Sequence, residues 1–273
     1  MKKIKVGIVG GAGYTAGELL RILIYHPEVE IVFVNSSSNA GNPLAEVHSG
    51  LIGETDLKFT AELPLQQIDV LFLCTAHGDS KKFLVEHDVP FSMKMIDLST
   101  DFREKRTDHD FVYGLPELNR KEILSAWHVA NPGCFATAIQ LGLLPLAKNG
   151  LLKDEIHVNA ITGSTGAGVK LSSTSHFSWR NNNVSIYKAF THQHLHEINQ
   201  SLHQLQPSFA HAVNFIPVRG NFTRGILAAS YTKCDLTLKE ATEIYREFYS
   251  EAAFTFVVDK NPDLKQVVNT NKA

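Results

Sequence analysis

The N-terminal segment limits the possible folds more than any other stretch of this chain. Ile4 to Val9 is a short apolar run rich in β-branched residues and predicts a strand. Glycines follow at positions 10, 11, 13 and 17, and from Gly17 to Ile24 the apolar residues Leu19, Leu20, Leu23 and Ile24 fall at helical spacing. A strand that enters a glycine turn and leaves as a helix opens a parallel α/β unit. Such a turn lets the backbone approach a phosphate, while the helix N-terminus offers free N–H groups and the positive end of its dipole. The spacing Gly10-x-x-Gly13 departs from the usual dinucleotide fingerprint. An ordinary strand-to-helix turn is therefore the competing reading of this loop taken alone.

Further strands are predicted at Glu30 to Asn35, Asp69 to Cys74, Met95 to Leu98 and His128 to Ala130, alternating with helical segments, as a parallel sheet requires. After about residue 135 the texture changes. A helix is predicted from Phe135 to Lys148. Alternating stretches follow at Glu155 to Thr162, Ala210 to Pro217 and Gly225 to Thr232. Leu238 to Ala253 reads as a helix with Thr237 as N-cap and Glu240 three residues later. This half reads as α+β with an antiparallel sheet. At 273 residues the chain exceeds what one core usually holds. Two domains are expected, 1–133 and 134–273, packed closely rather than tethered.

The end of the second predicted strand reads Asn35-Ser36-Ser37-Ser38-Asn39. NAD sites often place a carboxylate there for the ribose 2′-hydroxyl. Hydroxyls and amides instead accept a 2′-phosphate without repulsion, which points to NADP; a polar turn without ligand is the alternative. Net charge is −2 and no basic tract stands out, so neither a nucleic acid nor a membrane surface is expected as partner. The three cysteines, Cys74, Cys134 and Cys234, are sparse and odd in number. They argue against a disulfide framework and for a reducing compartment, and a cytoplasmic protein is expected.

Asn131-Pro132-Gly133-Cys134 leads directly into a predicted helix, placing Cys134 at its N-terminus. The dipole and free N–H groups there stabilise a thiolate, the reactive form. A small buried residue is the competing fate of a free cysteine. That reading fits Cys74, in an apolar strand, and extends to Cys234. The segment Thr191-His192-Gln193-His194-Leu195-His196-Glu197 supplies a base for a thiol nucleophile and an acid for the product oxygen. On a helix, Glu197 would share a face with His194 and orient it. His192 and His196 are four apart, a helical metal-ligand spacing, but no cysteine or second matched pair accompanies them, so no metal site is assigned. A solvent-exposed helix start is the third reading. Arg103, Lys170, Arg219 and Arg224 are candidate cations for an anionic substrate. Gly163 to Gly168 is a candidate second close-approach loop.

Seven stretches taken together resemble the N-acetyl-γ-glutamyl-phosphate reductases, the arginine-pathway branch of the aspartate-semialdehyde dehydrogenase-like family. They are Gly10 to Leu20, Asp97 to Arg103, Val112 to Asn119, Asn131 to Thr137, Gly163 to Gly168, Thr191 to Ile198 and Arg224 to Leu227. They run in order along nearly the whole chain. The resemblance implies a Rossmann-type parallel-sheet NADP domain and a glyceraldehyde-3-phosphate-dehydrogenase-like catalytic domain with a mixed or antiparallel sheet. It implies Cys134 as the acyl carrier, His194 as acid and base, and Glu197 beside it in proton transfer. The implied cofactor residues are Gly10, Gly13, Tyr14, Thr15, Ser36, Ser38, Thr75, His77, Gly78 and Gly166. Ser99, Arg103, Asn131, His192 and Arg224 are implied for the substrate.

The implied activity is NADPH-dependent reduction of an N-acyl-γ-glutamyl phosphate to the semialdehyde with release of inorganic phosphate, by a homodimer or homotetramer. A sibling activity on aspartyl phosphate is the nearer alternative. Ala16 stands where the family usually has glycine, and His196 where proline is common, which bears on the acyl-group pocket. The family continues beyond the Leu227 region into a glycine-containing segment and a helix that return to the NADP domain. Residues up to Ala273 do not supply them, so the second alternative is a catalytically impaired NADP-binding fragment.

Overall fold

The computed structural model describes residues 2–273. It divides into two compact units: residues up to Gly114 with Asn119–Pro132, and Leu115–Leu118 with Gly133–Ala273.

The first unit is built from β1 (Ile4–Val9), α1 (Tyr14–Leu23), β2 (Val29–Asn35), α2 (Leu44–Val47), β3 (Phe59–Thr60), β4 (Val70–Leu73), α3 (Asp79–Glu86), β5 (Lys94–Asp97), β6 (Val112–Tyr113), the later part of α4 (Pro116–Ser125) and β7 (His128–Ala130). Its seven strands form one parallel sheet in the order β3-β2-β1-β4-β5-β7-β6. Apolar clusters lie on both faces. One gathers Ile8, Ala16, Leu20, Val34, Phe59 and Cys74. The other gathers Phe33, Leu71, Leu73, Phe83, Met95 and Phe102. That double burial explains why β1 and β4 read as continuous apolar runs rather than alternating ones. Strand order reverses at the β1–β4 pair, the switch point where open parallel sheets bind ligands at their carboxyl ends. The glycine loop leaves β1 at this point. α1 begins at Tyr14, three residues before the Gly17 start expected from spacing, because the glycines at 11 and 13 mask the turn's true end.

The second unit contains α5 (Cys134–Lys148), β8 (Ile156–Thr162), α6 (Phe177–Arg180), β9 (Ser185–Ile186), α7 (His194–Leu205), β10 (Val213–Arg219), β11 (Ile226–Tyr231) and α8 (Leu238–Phe248). Its four-stranded sheet runs β11-β8-β10-β9. The sheet is mixed, one of the two forms the resemblance implies, and not the purely antiparallel one that the alternating stretches suggested. β8 and β10 are parallel, while β11 pairs with β8, and β9 with β10, in antiparallel fashion. A parallel pair needs a long crossover, and the segment carrying α6, β9 and α7 provides it. One cluster of Phe135, Ile139, Leu143, Val158, Ile198, Leu202 and Phe215 joins α5 and α7 to the sheet.

Helix α8 has the expected capping box. Thr237 accepts from the Glu240 N–H, and the Glu240 side chain accepts from the Thr237 N–H. It ends at Phe248 rather than Ala253. Tyr249 turns inward, and its hydroxyl donates to the Leu141 carbonyl at 2.6 Å. Among the described residues no helix is long and apolar enough to cross a membrane.

Candidate active site

In the second unit, Gly133 is the N-cap of α5 and Cys134 is its first residue, exposed to solvent. The sequence forces this arrangement. Pro132 cannot continue β7, Gly133 takes the extended cap conformation, and the apolar run Phe135 to Ala147 then buries one face of the helix. The Gly133 carbonyl accepts from both the N–H and the hydroxyl of Thr137, tightening the first turn. The Gly133 N–H points the other way and donates to Oε2 of Glu197 at 2.8 Å.

Glu197 is buried, and its Oε1 lies 3.9 Å from Nε2 of His194, also buried. His194 opens α7, so Glu197, three residues on, does share its face. His192 precedes the helix. Its Nδ1 accepts from the His194 N–H at 3.2 Å, and the two rings meet edge to face with centroids 4.5 Å apart. Phe135, Tyr187 and Phe215 surround it. Burial, the neighbouring His194 and Lys188 depress the His192 imidazole to about 4, against a smaller opposing pull from Glu197. His192 is thus neutral at physiological pH. His196 faces solvent, and with His192 off the helix the two do not form a helical ligand pair. Of the three histidines, the solvent-exposed reading holds for His196 only.

Two groups not singled out as a pair complete this cluster. The Arg219 guanidinium lies 4.7 Å over the Tyr187 ring. Burial raises the Tyr187 hydroxyl, the Cys134 sulfur adds to the rise, and Arg219 opposes it. Tyr187 is therefore within the electrostatic reach of both. It sits just after the short β9 in an irregular stretch, and no periodic signal marks it. Arg180, expected nowhere in the site, is buried behind Arg219 and donates to its carbonyl at 2.8 Å. The loop Gly163 to Gly168, carrying Gly166, is tied to the stretch before Arg224. The Ser164 N–H donates to the Phe222 carbonyl, and the N–H and hydroxyl of Thr165 to that of Thr223. Gly166 and Arg224 thus lie on two joined loops. Cys234 is exposed, correcting its expected burial. Cys74 is buried, and desolvation, aided by Asp97, pushes its thiol up to about 12.

In the first unit the glycine loop fits a bound pyrophosphate. Gly10 has φ +78, and a Cβ there would stand 2.6 Å from the Cys74 carbonyl oxygen, so only glycine lets the β1 and β4 loops touch. No side chain caps α1 at Gly13, and Tyr14 and Thr15 are exposed on its first turn. Ala16, where the family usually has glycine, is wholly buried in the core. At the end of β2 the hydroxyls of Ser36 and Ser38 both accept from the Asn39 amide.

A chain of polar groups joins the loops after β4 and β5. Ser80 and Ser99 donate to the two oxygens of buried Asp97, and Thr75 bonds to Ser80 at 2.7 Å. His77 accepts from the Thr100 N–H, and Asp101 from the N–H groups of Gly78 and Lys81. Burial raises the Asp97 carboxyl, with the serine hydrogen bonds opposing. Arg103 is not a surface charge. It is buried, and its guanidinium donates to the carbonyls of Asn131 and Leu98. The first unit thus holds Ser99, Arg103 and Asn131, and the second His192 and Arg224.

Comparison with known proteins matches both halves. Residues 5–126 match the semialdehyde dehydrogenase NAD binding domain, and residues 134–273 the semialdehyde dehydrogenase dimerisation domain. The chain is 68% identical over 269 residues to the N-acetyl-gamma-glutamyl-phosphate reductase of Parabacteroides distasonis, covering 98% of this chain and 84% of that protein. It is 66% identical, with the same coverage, to the protein of that name from Bacteroides thetaiotaomicron. Among solved structures it is similar to aspartate semialdehyde dehydrogenase II from Vibrio cholerae, with TM-score 0.71 and 16% identity over 98% of this chain and 85% of that one. The Candida albicans aspartate semialdehyde dehydrogenase solved with NADP gives 0.71 and 15% over 97% and 85%. Those structures share the fold, and the far closer sequence relatives decide the branch: this chain belongs to the semialdehyde dehydrogenase family, among its N-acetyl-γ-glutamyl-phosphate reductases.

Proposed function

We propose that the chain reduces N-acetyl-γ-glutamyl phosphate to the semialdehyde with NADPH, releasing inorganic phosphate, as a step of arginine biosynthesis. The observation that carries the chemistry is the placement of Cys134, exposed at the first position of α5 beside the Glu197-bound amide of Gly133. The helix terminus favours the thiolate. The thiolate attacks the acyl carbon; a C–S bond forms, the C–O bond to phosphate breaks, and phosphate leaves with that electron pair. NADPH, held by the glycine loop of the first unit, would supply the hydride that the thioester carbon needs. His194 holds a proton for the oxygen that then carries charge, and takes it back as the C–S bond breaks and the thiolate returns. Glu197 orients His194 and stabilises its charged form. His192, held neutral, is suited to hydrogen-bond a substrate oxygen.

The glycine loop and the first turn of α1 are assigned to the pyrophosphate, with Gly10, Gly13, Tyr14 and Thr15. Ser36 and Ser38 are assigned to the 2′-phosphate, because no carboxylate at the end of β2 opposes it; this favours NADP over NAD. The loop of Thr75, His77 and Gly78 lies beside the β1–β4 switch point, where the rest of the cofactor would run. Match of the second half to a dimerisation domain supports a homodimer or homotetramer, and a catalytic thiol that must stay reduced suits the cytoplasm. Cys134→Ser should abolish phosphate-dependent oxidation of N-acetylglutamate semialdehyde while NADP binding persists. Retained turnover in that variant, or equal turnover of aspartate semialdehyde by the wild type, would overturn the assignment.

A further inference from the structure

Between β2 and β3 the chain makes a series of short turns around α2, and no motif in the sequence accounts for them. His48, directly after α2, sends its imidazole to the glycine loop. Its Nε2 lies 2.7 Å from the Gly11 carbonyl oxygen. A carbonyl only accepts, so the ring carries its proton on Nε2. The ring leans on Phe59, with centroids 6.1 Å apart, and fills the space above Gly17. A Cβ on Gly17 would come within 2.7 Å of Nδ1 and 3.0 Å of Cε1. The other side of Gly11 is held as firmly. Its N–H donates to the Asn35 carbonyl at 2.8 Å, and a Cβ would meet Val34 at 2.3 Å.

We propose that His48 is a positioning residue for the cofactor's pyrophosphate, acting through the Gly11–Ala12 peptide, and that Gly17 is glycine to admit its ring. The proposal rests on reading Gly10 to Gly13 as the pyrophosphate loop. In a trans peptide the carbonyl and the following N–H point in opposite directions. With the Gly11 oxygen fastened to His48, the Ala12 N–H points away from the imidazole. Released, the peptide can rotate and turn its oxygen toward the phosphates, replacing a donor by a repelling acceptor. Fixing it beforehand removes an ordering cost from binding. Loss of His48 therefore weakens the cofactor's grip and leaves the chemistry at Cys134 alone.

The test is NADPH titration, followed by protein fluorescence quenching, and steady-state kinetics on the full chain. Wild type is compared with His48→Phe, His48→Gln, Gly17→Ala and the His48→Phe/Gly17→Ala pair, with circular dichroism to check folding. Phe keeps the ring and loses the donor. Gln keeps a donor and loses the ring. His48→Phe should raise the NADPH Kd and KM about tenfold, the worth of one hydrogen bond, with kcat little changed. His48→Gln should recover most of that loss. Ala is the better helix former, so Gly17→Ala should keep α1 yet weaken NADPH similarly by displacing the ring. The pair should bind no worse than the weaker single variant. Unchanged NADPH binding in folded His48→Phe, equal weakening in Phe and Gln, or full additivity in the pair would overturn the proposal. Failure of the wild type to bind NADPH would instead remove the glycine-loop reading on which it stands.

Discussion

Glu197 accepts a 2.8 Å hydrogen bond from the backbone N–H of Gly133, the residue immediately before Cys134, across 64 positions of sequence. One buried carboxylate thereby fixes the cysteine turn with Oε2 and faces His194 with Oε1. Two variants separate these tasks. Glu197→Gln keeps an acceptor for the Gly133 N–H but removes the charge beside His194. Its stability should stay within about 1 kcal/mol of wild type, while kcat falls about a hundredfold, the usual worth of a positioned acid–base pair. Glu197→Ala leaves the Gly133 N–H without its acceptor in a buried place. It should lose about 1–3 kcal/mol as well. Urea unfolding beside steady-state assay distinguishes them; a Gln variant with full kcat would remove Glu197 from proton transfer.

His192 predicts a pH dependence of stability. Its folded value of about 4 lies below the ordinary 6.5 because the ring is buried. Between those values the unfolded chain binds a proton that the folded chain does not. Stability therefore rises with pH over this window, is complete above about 6.5, and is lost as pH falls toward 4. The loss between pH 7 and pH 5 should be of order 1–2 kcal/mol from this group. Other histidines titrate too, so the measurement is the difference in urea midpoint slope between wild type and His192→Phe. Identical slopes would mean that His192 takes up protons as freely folded as unfolded.

The sequence carried the strands of the parallel sheet and the cysteine turn because both signals are local. Ile4 to Val9 announces a buried strand by composition, and Pro132-Gly133 before an apolar helix announces a turn. The histidine segment was legible as chemistry but not as geometry. Only the structure separates buried His192 and His194 from exposed His196: His192 precedes α7, while His194 and His196 both lie on it, two positions apart and on different faces. The parallel pairing of β8 with β10 was not legible, because alternating burial looks the same in either direction. His48 and Tyr187 were missed for another reason. Each acts as a single residue on a distant backbone or ring, and single contacts leave no period in the chain.

Asp101 offers a prediction about the loop after β4. Its carboxylate accepts from the N–H groups of Gly78 at 2.7 Å and Lys81 at 3.0 Å, so it caps α3 from the neighbouring loop. Gly78 itself has no side chain for this task. Asp101→Ala should cost about 1 kcal/mol, within the range for lost N-caps, and Asp101→Asn less. Thermal unfolding followed by circular dichroism measures it. An unchanged midpoint for Asp101→Ala would mean that water replaces the cap without loss.

Arg219 gives the sharpest test of how the acyl substrate is held. Its Nε is buried and has no hydrogen-bond acceptor among the described residues. The guanidinium stacks over Tyr187, whose hydroxyl also feels Cys134, the proposed nucleophile. Arg180 supports the Arg219 backbone with four hydrogen-bond acceptors of its own, Thr174, Asn183, Arg219 and Ser185, so the strand end is held rigid. A substrate carboxylate would satisfy the spare donor, and a charge-assisted bond of this kind is worth about 1.5–3 kcal/mol. Arg219→Lys keeps the charge but loses the planar fork. It should raise the KM for the semialdehyde by about tenfold to a hundredfold and leave the KM for NADP unchanged. If instead both KM values stay put while kcat collapses, Arg219 acts on the thiolate rather than on the substrate's anionic group.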